Sequence, residues 1–213
     1  MRLPMFRILA VLSLMFLSGC GALGAIGEAT TPLDTYELRA PLDGPTAQGQ
    51  PRAVDLVVEV PEASGALDTD RIMIRPNPFQ AQYLPRARWA DTAPEMIQTL
   101  MLRSVENTNA VRYVGRRPLA GAGDYALISE ITDFQAERRD GDDAAEIRLR
   151  MTARLVREDD ASIVATRTFT ATADVDNLDT LPVVASFDAA AAPMLREIAQ
   201  WVMQTLGVPA ATS

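Results

Sequence analysis

Three long segments in which apolar and polar residues alternate constrain the fold of this chain more than any other feature. They cover residues 125–137, 145–157 and 162–173. The middle segment, AEIRLRMTARLVR, has an apolar side chain at every second position and mostly arginine or threonine between them. Alternation with period two is typical of a strand that is buried on one face. The turn-forming stretches RRDGDDA and EDDAS separate the segments, so we predict an antiparallel meander with one wet face.

Shorter segments with strand character and two segments with helical periodicity complete the pattern. The strand candidates are residues 35–41, 53–60, 71–76, 79–84 and 110–115. The first helix is predicted within residues 89–108, where Thr92 and Glu95 have capping-box spacing and Pro94 falls in the first turn. The second is predicted within residues 179–207, and Pro193 inside it predicts a kink or two consecutive helices. Two main helices against a mixed, largely antiparallel sheet make a single α/β sandwich.

The N-terminus has the features of a targeting segment. Arg2 and Arg7 give it a positive start, and residues 8–17 form an apolar stretch that is too short to span a bilayer. Small residues directly before a cysteine then resemble the lipobox of bacterial lipoproteins, where signal peptidase II cleaves and the thiol is acylated, for example with palmitate. The alternative is an ordinary secretory signal with a chance cysteine. The lipobox residues are Leu17, Ser18, Gly19 and Cys20.

This motif sets the predicted domain boundaries and the predicted location. Residues 1–19 are a cleaved signal peptide, 20–34 a lipidated flexible tether, 35–207 one globular domain and 208–213 a tail. Gly21, rather than aspartate, follows the cysteine, which by the sorting rule of enteric bacteria indicates the periplasmic face of the outer membrane. The inner membrane is the alternative.

Composition excludes most kinds of catalysis. The chain has no histidine, and all of its 20 basic residues are arginine. Imidazole bases, Schiff-base lysines and histidine metal sites are therefore absent. Cys20, the single cysteine, is consumed by acylation, which leaves no disulfide. We predict no enzyme, cofactor or metal, with a carboxylate-based hydrolase as the remote alternative. The net charge of −8 argues against a nucleic-acid partner.

Three polar clusters have both a functional and an unremarkable interpretation. The acidic stretch Asp140–Glu146 lacks the ligand spacing of a calcium loop and is interpreted as a solvated hairpin tip. The stretch GAGD at residues 121–124 is not followed by a helix, so it is no phosphate loop. Arg148, Arg150 and Arg154 share one strand face. They could meet anionic lipid or an acidic partner, or they could pair with neighbouring carboxylates in water.

Aromatic residues ahead of the first helix are the remaining candidates. Phe79, Tyr83 and Trp89, with Arg88, could form a surface for a partner or a ligand. The alternative is that the aromatic side chains pack the first helix onto the sheet. Trp201 is interpreted as core packing in the same way.

A lipobox followed by Tyr36-Glu37-Leu38 resembles the ABC-type transport auxiliary lipoproteins, the PqiC-like group. The more specific part of the resemblance lies in residues 67–106, and the closing helix with Trp201 also fits. Its pieces are DRI at 70–72, Tyr83 in a hairpin, RWAD at 88–91, and a helix start with Pro94 and Met96.

The resemblance implies a fold and a function. The fold is a three-layer α/β sandwich like anticodon-binding domains and the N-terminal domain of TolB. The function is that of a non-catalytic partner of a lipid-transport system between the inner and outer membranes, with an ABC permease and ATPase and a periplasmic MCE-domain protein as partners. The protein could also form a homo-oligomer. The alternative function is that of a lipoprotein that itself binds a hydrophobic ligand between helix and sheet.

Overall fold

A computed structural model describes residues 32–119, 121, 123–139 and 144–211, which form nine strands and two helices. From Thr35 onward these elements pack as one compact unit. The strands are β1 (Asp34–Tyr36), β2 (Arg52–Val58), β3 (Glu62–Ala63), β4 (Arg71–Asn77), β5 (Gln80–Trp89), β6 (Val111–Gly115), β7 (Tyr125–Arg138), β8 (Ala145–Arg157) and β9 (Ser162–Val175). The helices are α1 (Ala93–Glu106) and α2 (Thr180–Thr205). The domain boundaries given above stay predictions.

Strand β7 organises the mixed sheet. Along one side it pairs with β8, from Tyr125 opposite Arg157 to Arg138 opposite Ala145. Along its other side it pairs in parallel with β2, β3 and β4 in turn. Strand β6 extends the sheet beyond β2, and β5 and then β1 extend it beyond β4. The long antiparallel pairs dominate this sheet, as the alternating segments predict.

The meander of β7, β8 and β9 has the two-faced character expected from its alternation. Strands β8 and β9 pair antiparallel, from Ala145 opposite Val175 to Arg157 opposite Ser162. The apolar positions of β8 are all at most 2% exposed, and they are Ile147, Leu149, Met151, Ala153 and Leu155. Burial of each large apolar side chain contributes about 1.5–3 kcal/mol. This face therefore anchors the sheet in the core.

The two helices cover the apolar face of the sheet. Helix α2 lies against β8 and β9, helix α1 lies near β2 and β6, and the helices contact each other. Trp89, Phe134 and Phe187 form an aromatic cluster in this core, with ring centroids 5.0–6.0 Å apart. The predicted mixed α/β fold with two main helices is confirmed.

Both helices differ in detail from the prediction. Helix α1 begins at Ala93, because Trp89 still belongs to β5 and Thr92 is the extended N-cap residue. Helix α2 runs without interruption through Pro193, so the alternative of two consecutive helices is wrong. The proline lies on the exposed side of a helix whose opposite side is buried, and that packing holds the helix together. No helix among the described residues has the length and apolar character needed to cross a membrane.

Candidate docking surface

The face of the meander that points away from the helices is the open face. On β8 it consists of Arg148, Arg150, Thr152, Arg154 and Val156, which alternate with the buried positions. Across β9 a row of exposed threonines continues it, namely Thr166, Thr168, Thr170 and Thr172. The side chains of Thr152 and Thr168 share a hydrogen bond of 2.9 Å. The open face is thus a polar, regular sheet surface that neither of the described helices covers.

Two of the three open-face arginines have no carboxylate partner among the described residues. Arg148 forms an ion pair of 3.5 Å with Glu137. Arg150 lies opposite Asp133 and Thr170, but the Asp133 carboxylate instead accepts a hydrogen bond from the Gln135 amide. Arg154 lies between Ile128 and Thr166, neither of which carries a charge. The sequence alternative of a fully paired face therefore holds for Arg148 alone.

A shallow groove of about 530 Å³ lies on the open face near the end of β8. Ile128 and Val156 from neighbouring strands line it, with Glu59 and Glu158 at its sides. Ile163 of β9 lies opposite Val156, and its side chain is 59% exposed. Such exposed apolar side chains next to cations are common at interaction surfaces.

The turn between β8 and β9 closes this end of the open face. Arg157 forms an ion pair of 3.5 Å with Asp160, and the hydroxyl of Tyr125 together with that carboxylate raises the pKa of Arg157. The Ser162 side chain and backbone N–H lower the pKa of Asp160 by hydrogen bonding, with Arg157 as a smaller cause. The Ser162 N–H donates to Asp160 over 3.0 Å. These contacts fix the start of β9.

The predicted aromatic surface is divided by the fold. Trp89 is fully buried beside Phe134 of β7 and Phe187 of α2, so it belongs to the core between the sheet and the second helix and does not contribute to a surface. Phe79 is 98% exposed at the hairpin between β4 and β5. Tyr83 is 36% exposed, and its hydroxyl donates to the Ala66 carbonyl.

Arg88, the fourth residue of the predicted surface, lies near the end of β5. Its guanidinium forms an ion pair of 3.5 Å with Asp70 and donates to the Thr35 hydroxyl over 3.3 Å. Trp201 is 7% exposed, and its ring lies against Phe169, with centroids 5.6 Å apart. Trp201 is therefore a core residue, whereas a partner-binding role for the half-exposed Arg88 stays a prediction.

The other sequence candidates lie partly outside the described residues. Leu17, Ser18, Gly19 and Cys20 do, and so does most of the acidic stretch. Glu146, at its end, lies 3.9 Å from Arg139. Asp124 of the GAGD stretch accepts a hydrogen bond of 2.7 Å from the backbone of Asp55. The described residues contain no group of three or more acidic, cysteine or histidine side chains suited to a metal ion.

A feature that the sequence did not reveal is the free edge of the sheet at β9. This strand pairs only with β8, and its other edge faces no described strand. Residues 163–173 make no outward backbone hydrogen bond within the described residues, whereas at the two ends the Ser162 N–H donates to Asp160 and the Asp174 carbonyl accepts from the Ser186 hydroxyl. Alternation reveals the faces of a strand but not its neighbours, so no signal in the sequence located this edge.

Comparison with known proteins gives a consistent family. The family model described as "ABC-type transport auxiliary lipoprotein component" matches residues 36–199. An uncharacterized protein of Bradyrhizobium diazoefficiens is 32% identical over 181 residues, which are 83% of this chain and 47% of that protein. The chain thus spans about half the length of the curated relative it matches.

Solved structures agree with this fold. A Xanthomonas campestris protein of the family DUF330 has a TM-score of 0.71 at 26% identity, and the match covers 82% of this chain and 97% of that one. A second structure, of an uncharacterized protein, has a TM-score of 0.60 at 16% identity over 81% of this chain and 99% of that one. The second similarity is one of fold alone.

Proposed function

The chain belongs to the family of ABC-type transport auxiliary lipoprotein components, and we propose that it is a lipid-anchored periplasmic protein that serves such a transporter as a docking subunit without catalysing a reaction. One observation carries this proposal. The LSGC motif at residues 17–20 lies a short stretch, residues 21–35, ahead of a domain that the family model matches from residue 36. Acyl chains on Cys20 would hold the domain at a membrane, since two or more chains make an anchor stable.

The transported cargo and the partners extend the same proposal. We infer a lipid-transport system in which a periplasmic MCE-domain protein carries lipid between an inner-membrane permease and ATPase and the outer membrane. The resemblance of residues 67–106 supports this system, and Gly21 after the cysteine supports the outer membrane. The open face also supports a docking role, because its Arg150 and Arg154 have no carboxylate partner among the described residues.

A role in binding rather than catalysis agrees with the available side chains. Without histidine or lysine, a catalytic site would have to use carboxylates, serine, threonine or tyrosine. Among the described residues, the ionisable groups with shifted pKa values are Arg39, Arg157 and Asp160, surface groups whose ordinary ion pairs and hydrogen bonds explain the shifts.

A hydrophobic ligand between helix and sheet has less support. Large side chains fill that space, including Phe169 from β9 and Phe187 from α2, both at most 1% exposed. A lipid there would displace close-packed core groups, and loss of one large core side chain alone costs about 3–5 kcal/mol. The groove of about 530 Å³ is instead on the open face.

Labelling of the lipid anchor is the first test. Cells that express the tagged chain would be fed an alkyne analogue of palmitate, and the label and the membrane fraction would be measured. We expect label on the wild type and none on Cys20→Ala, which should also leave the membrane fraction. Ser18→Ala keeps a small residue in the motif and serves as the matched control. Equal labelling of the wild type and Cys20→Ala would contradict lipidation at this residue.

Purification of the tagged lipoprotein from detergent-solubilised envelopes is the second test. We expect an MCE-domain protein or a permease or ATPase subunit to copurify with it. The control is the same tag on an unrelated outer-membrane lipoprotein. Recovery of none of these components, under conditions in which Cys20 is labelled, would count against the transport role while leaving the anchor intact.

A further inference from the structure

The free edge of β9 can accept an additional strand. The strand is 14 residues long, and the backbone groups of residues 163–173 that point away from β8 have no partner among the described residues, whereas the Ser162 N–H donates to Asp160. Elsewhere the described sheet ends in the five-residue β6 and in the three-residue β1, which covers only part of the ten-residue β5, so β9 is the longest of these outer strands. Long exposed edges are templates for pairing with another chain.

The usual protections of an edge strand are sparse along β9. It contains no proline, and the one irregularity in its pairing with β8 lies near its start, opposite Leu155 and Val156. The charged side chain on its inner face, Arg167, is paired with Glu197 of α2. From Thr168 to Ala173 the strand has neither a charge nor a bulge. This half of the edge is therefore open to pairing.

The unpaired arginines of β8 lie one strand inward from this edge. Arg150 is opposite Thr170, and Arg154 is opposite Thr166. Strands in a sheet are about 4.7–4.9 Å apart. An added strand would therefore be two spacings from β8, and a long arginine side chain can lean over a short threonine toward it. A carboxylate on the added strand could then complete a charge-assisted hydrogen bond.

We propose that β9 binds an extended, acidic segment of a partner protein as an added strand. The carboxylates of that segment point to the open face, toward Arg150 and Arg154, and its small or apolar side chains continue the inner face beside Ala171 and Ala173. Backbone hydrogen bonds supply affinity, and the two arginines supply the preference for acidic sequences. The inference rests on the proposed docking function, for which it names the chemistry of the partner.

Charge favours this occupant over a second copy of the chain. Pairing of β9 with β9 of another copy would bring together two threonine rows and leave Arg150 and Arg154 of both copies without carboxylates. The acidic side chain within β9 itself, Asp174, already pairs with Arg139. An acidic partner strand would supply carboxylates for Arg150 and Arg154, whereas a second copy would only add two more arginines.

The test uses the full-length lipoprotein in detergent micelles and a synthetic peptide of about ten residues, the length of a long strand. The peptide alternates glutamate and valine, and its control carries lysine in place of glutamate. Affinity is measured by fluorescence anisotropy, and hydrogen exchange is followed in residues 162–175. We expect the acidic peptide to bind more tightly than the lysine peptide. At about ten times Kd, exchange in β9 should slow about tenfold.

A pair of variants separates the arginines from general charge. Arg150→Gln with Arg154→Gln should weaken the acidic peptide about three- to tenfold, because each exposed ion pair contributes up to about 1 kcal/mol. Arg103→Gln with Arg117→Gln makes the same change in net charge on arginines outside the meander and should leave affinity unchanged. All four side chains are at least partly accessible, so both variants should fold.

Several results would overturn the proposal. Equal binding of the two peptides would remove the acidic preference, and acidic binding without protection of β9 would place the peptide elsewhere. Protection of β9 that rises with protein concentration alone would assign the edge to a second copy. Binding to phosphatidylglycerol vesicles but to neither peptide would assign the arginines to lipid. Copurification of the transport components does not depend on these peptides, so each idea can fail by itself.

Discussion

The two faces of strand β8 differ in every second residue and play opposite roles. On the covered face, Leu149 and Met151 are at most 2% exposed beneath α2. On the open face, Arg148 and Arg150 are exposed to solvent. The same backbone ladder holds both sets, so the difference lies in what covers each face. The covered face carries the stability of the domain, and the open face is free to carry recognition.

Introducing an aspartate on each face of β8 tests this difference, and it has the largest expected effect. Leu149→Asp buries an unpaired carboxylate and creates a cavity, so we expect a loss of more than about 4 kcal/mol and no cooperative folding. Arg150→Asp, one residue further along, stays in water but lies opposite Asp133, so it should lower the free energy of unfolding by about 1 kcal/mol or less. Urea denaturation followed by circular dichroism measures both. Similar losses at the two positions would mean that the open face is covered in solution.

The predicted aromatic surface offers the next contrast. Trp89→Ala removes the centre of the cluster with Phe134 and Phe187, and we expect a loss of about 3–5 kcal/mol. Phe79→Ala removes a side chain that is 98% exposed and should change stability by about 0.5 kcal/mol or less. Thermal unfolding of both variants in parallel provides the measurement. A tolerated Trp89→Ala together with a damaging Phe79→Ala would reverse the assignment of core and surface.

The local sequence pattern was sufficient to predict which face of the meander is buried, but it did not predict the burial of Trp89. Ile147 and Arg148 follow a strict alternation, which fixes a buried and a wet face wherever the strand is placed. Trp89 has no such periodic context, because it lies where β5 ends and the approach to α1 begins. Its burial depends on Phe134 and Phe187, which are distant in sequence. The sequence could therefore name the aromatic residues but could not divide them between core and surface.

Strand order was beyond the sequence for a related reason. Strand β7 meets β2 near Leu127 and β4 near Ala136, and these parallel pairings join segments that are far apart along the chain. Alternation specifies a face and not a partner. The same limit hid the free edge of β9 and the lack of a carboxylate beside Arg154. For the candidate site, then, the residues were predictable, and their neighbours were not.

The covered face of the meander contains a buried polar side chain that makes a further test possible. Ser129 of β7 is 5% exposed, opposite Ala153, and its hydroxyl has no hydrogen-bond partner among the described residues. Ser129→Ala removes an unsatisfied buried group, so we expect stability to stay constant or rise by up to about 1 kcal/mol.

Gln98 is the matched control for Ser129. It is similarly buried, but its amide donates to the Val58 carbonyl over 2.8 Å. Gln98→Ala should cost about 1–3 kcal/mol because a buried acceptor loses its partner. Urea denaturation of the two variants compares them directly. A cost at Ser129 as large as that at Gln98 would mean that the serine hydroxyl is hydrogen-bonded in solution.

The smallest expected effect lies at the turn where the open face ends. Hydrogen bonds from Ser162, aided by Arg157, lower the pKa of Asp160 below its ordinary value of 3.8. A carboxyl group whose pKa is lower in the folded state stabilises that state above the ordinary pKa, and the contribution is lost as pH falls through the lowered value. Carbon-13 NMR titration should therefore give a midpoint for Asp160 below 3.8, and Ser162→Ala should raise it. A midpoint at or above 3.8 would mean that the turn does not hold β9 at its start. The edge proposed for an acidic strand would then begin further along the chain, nearer Thr166.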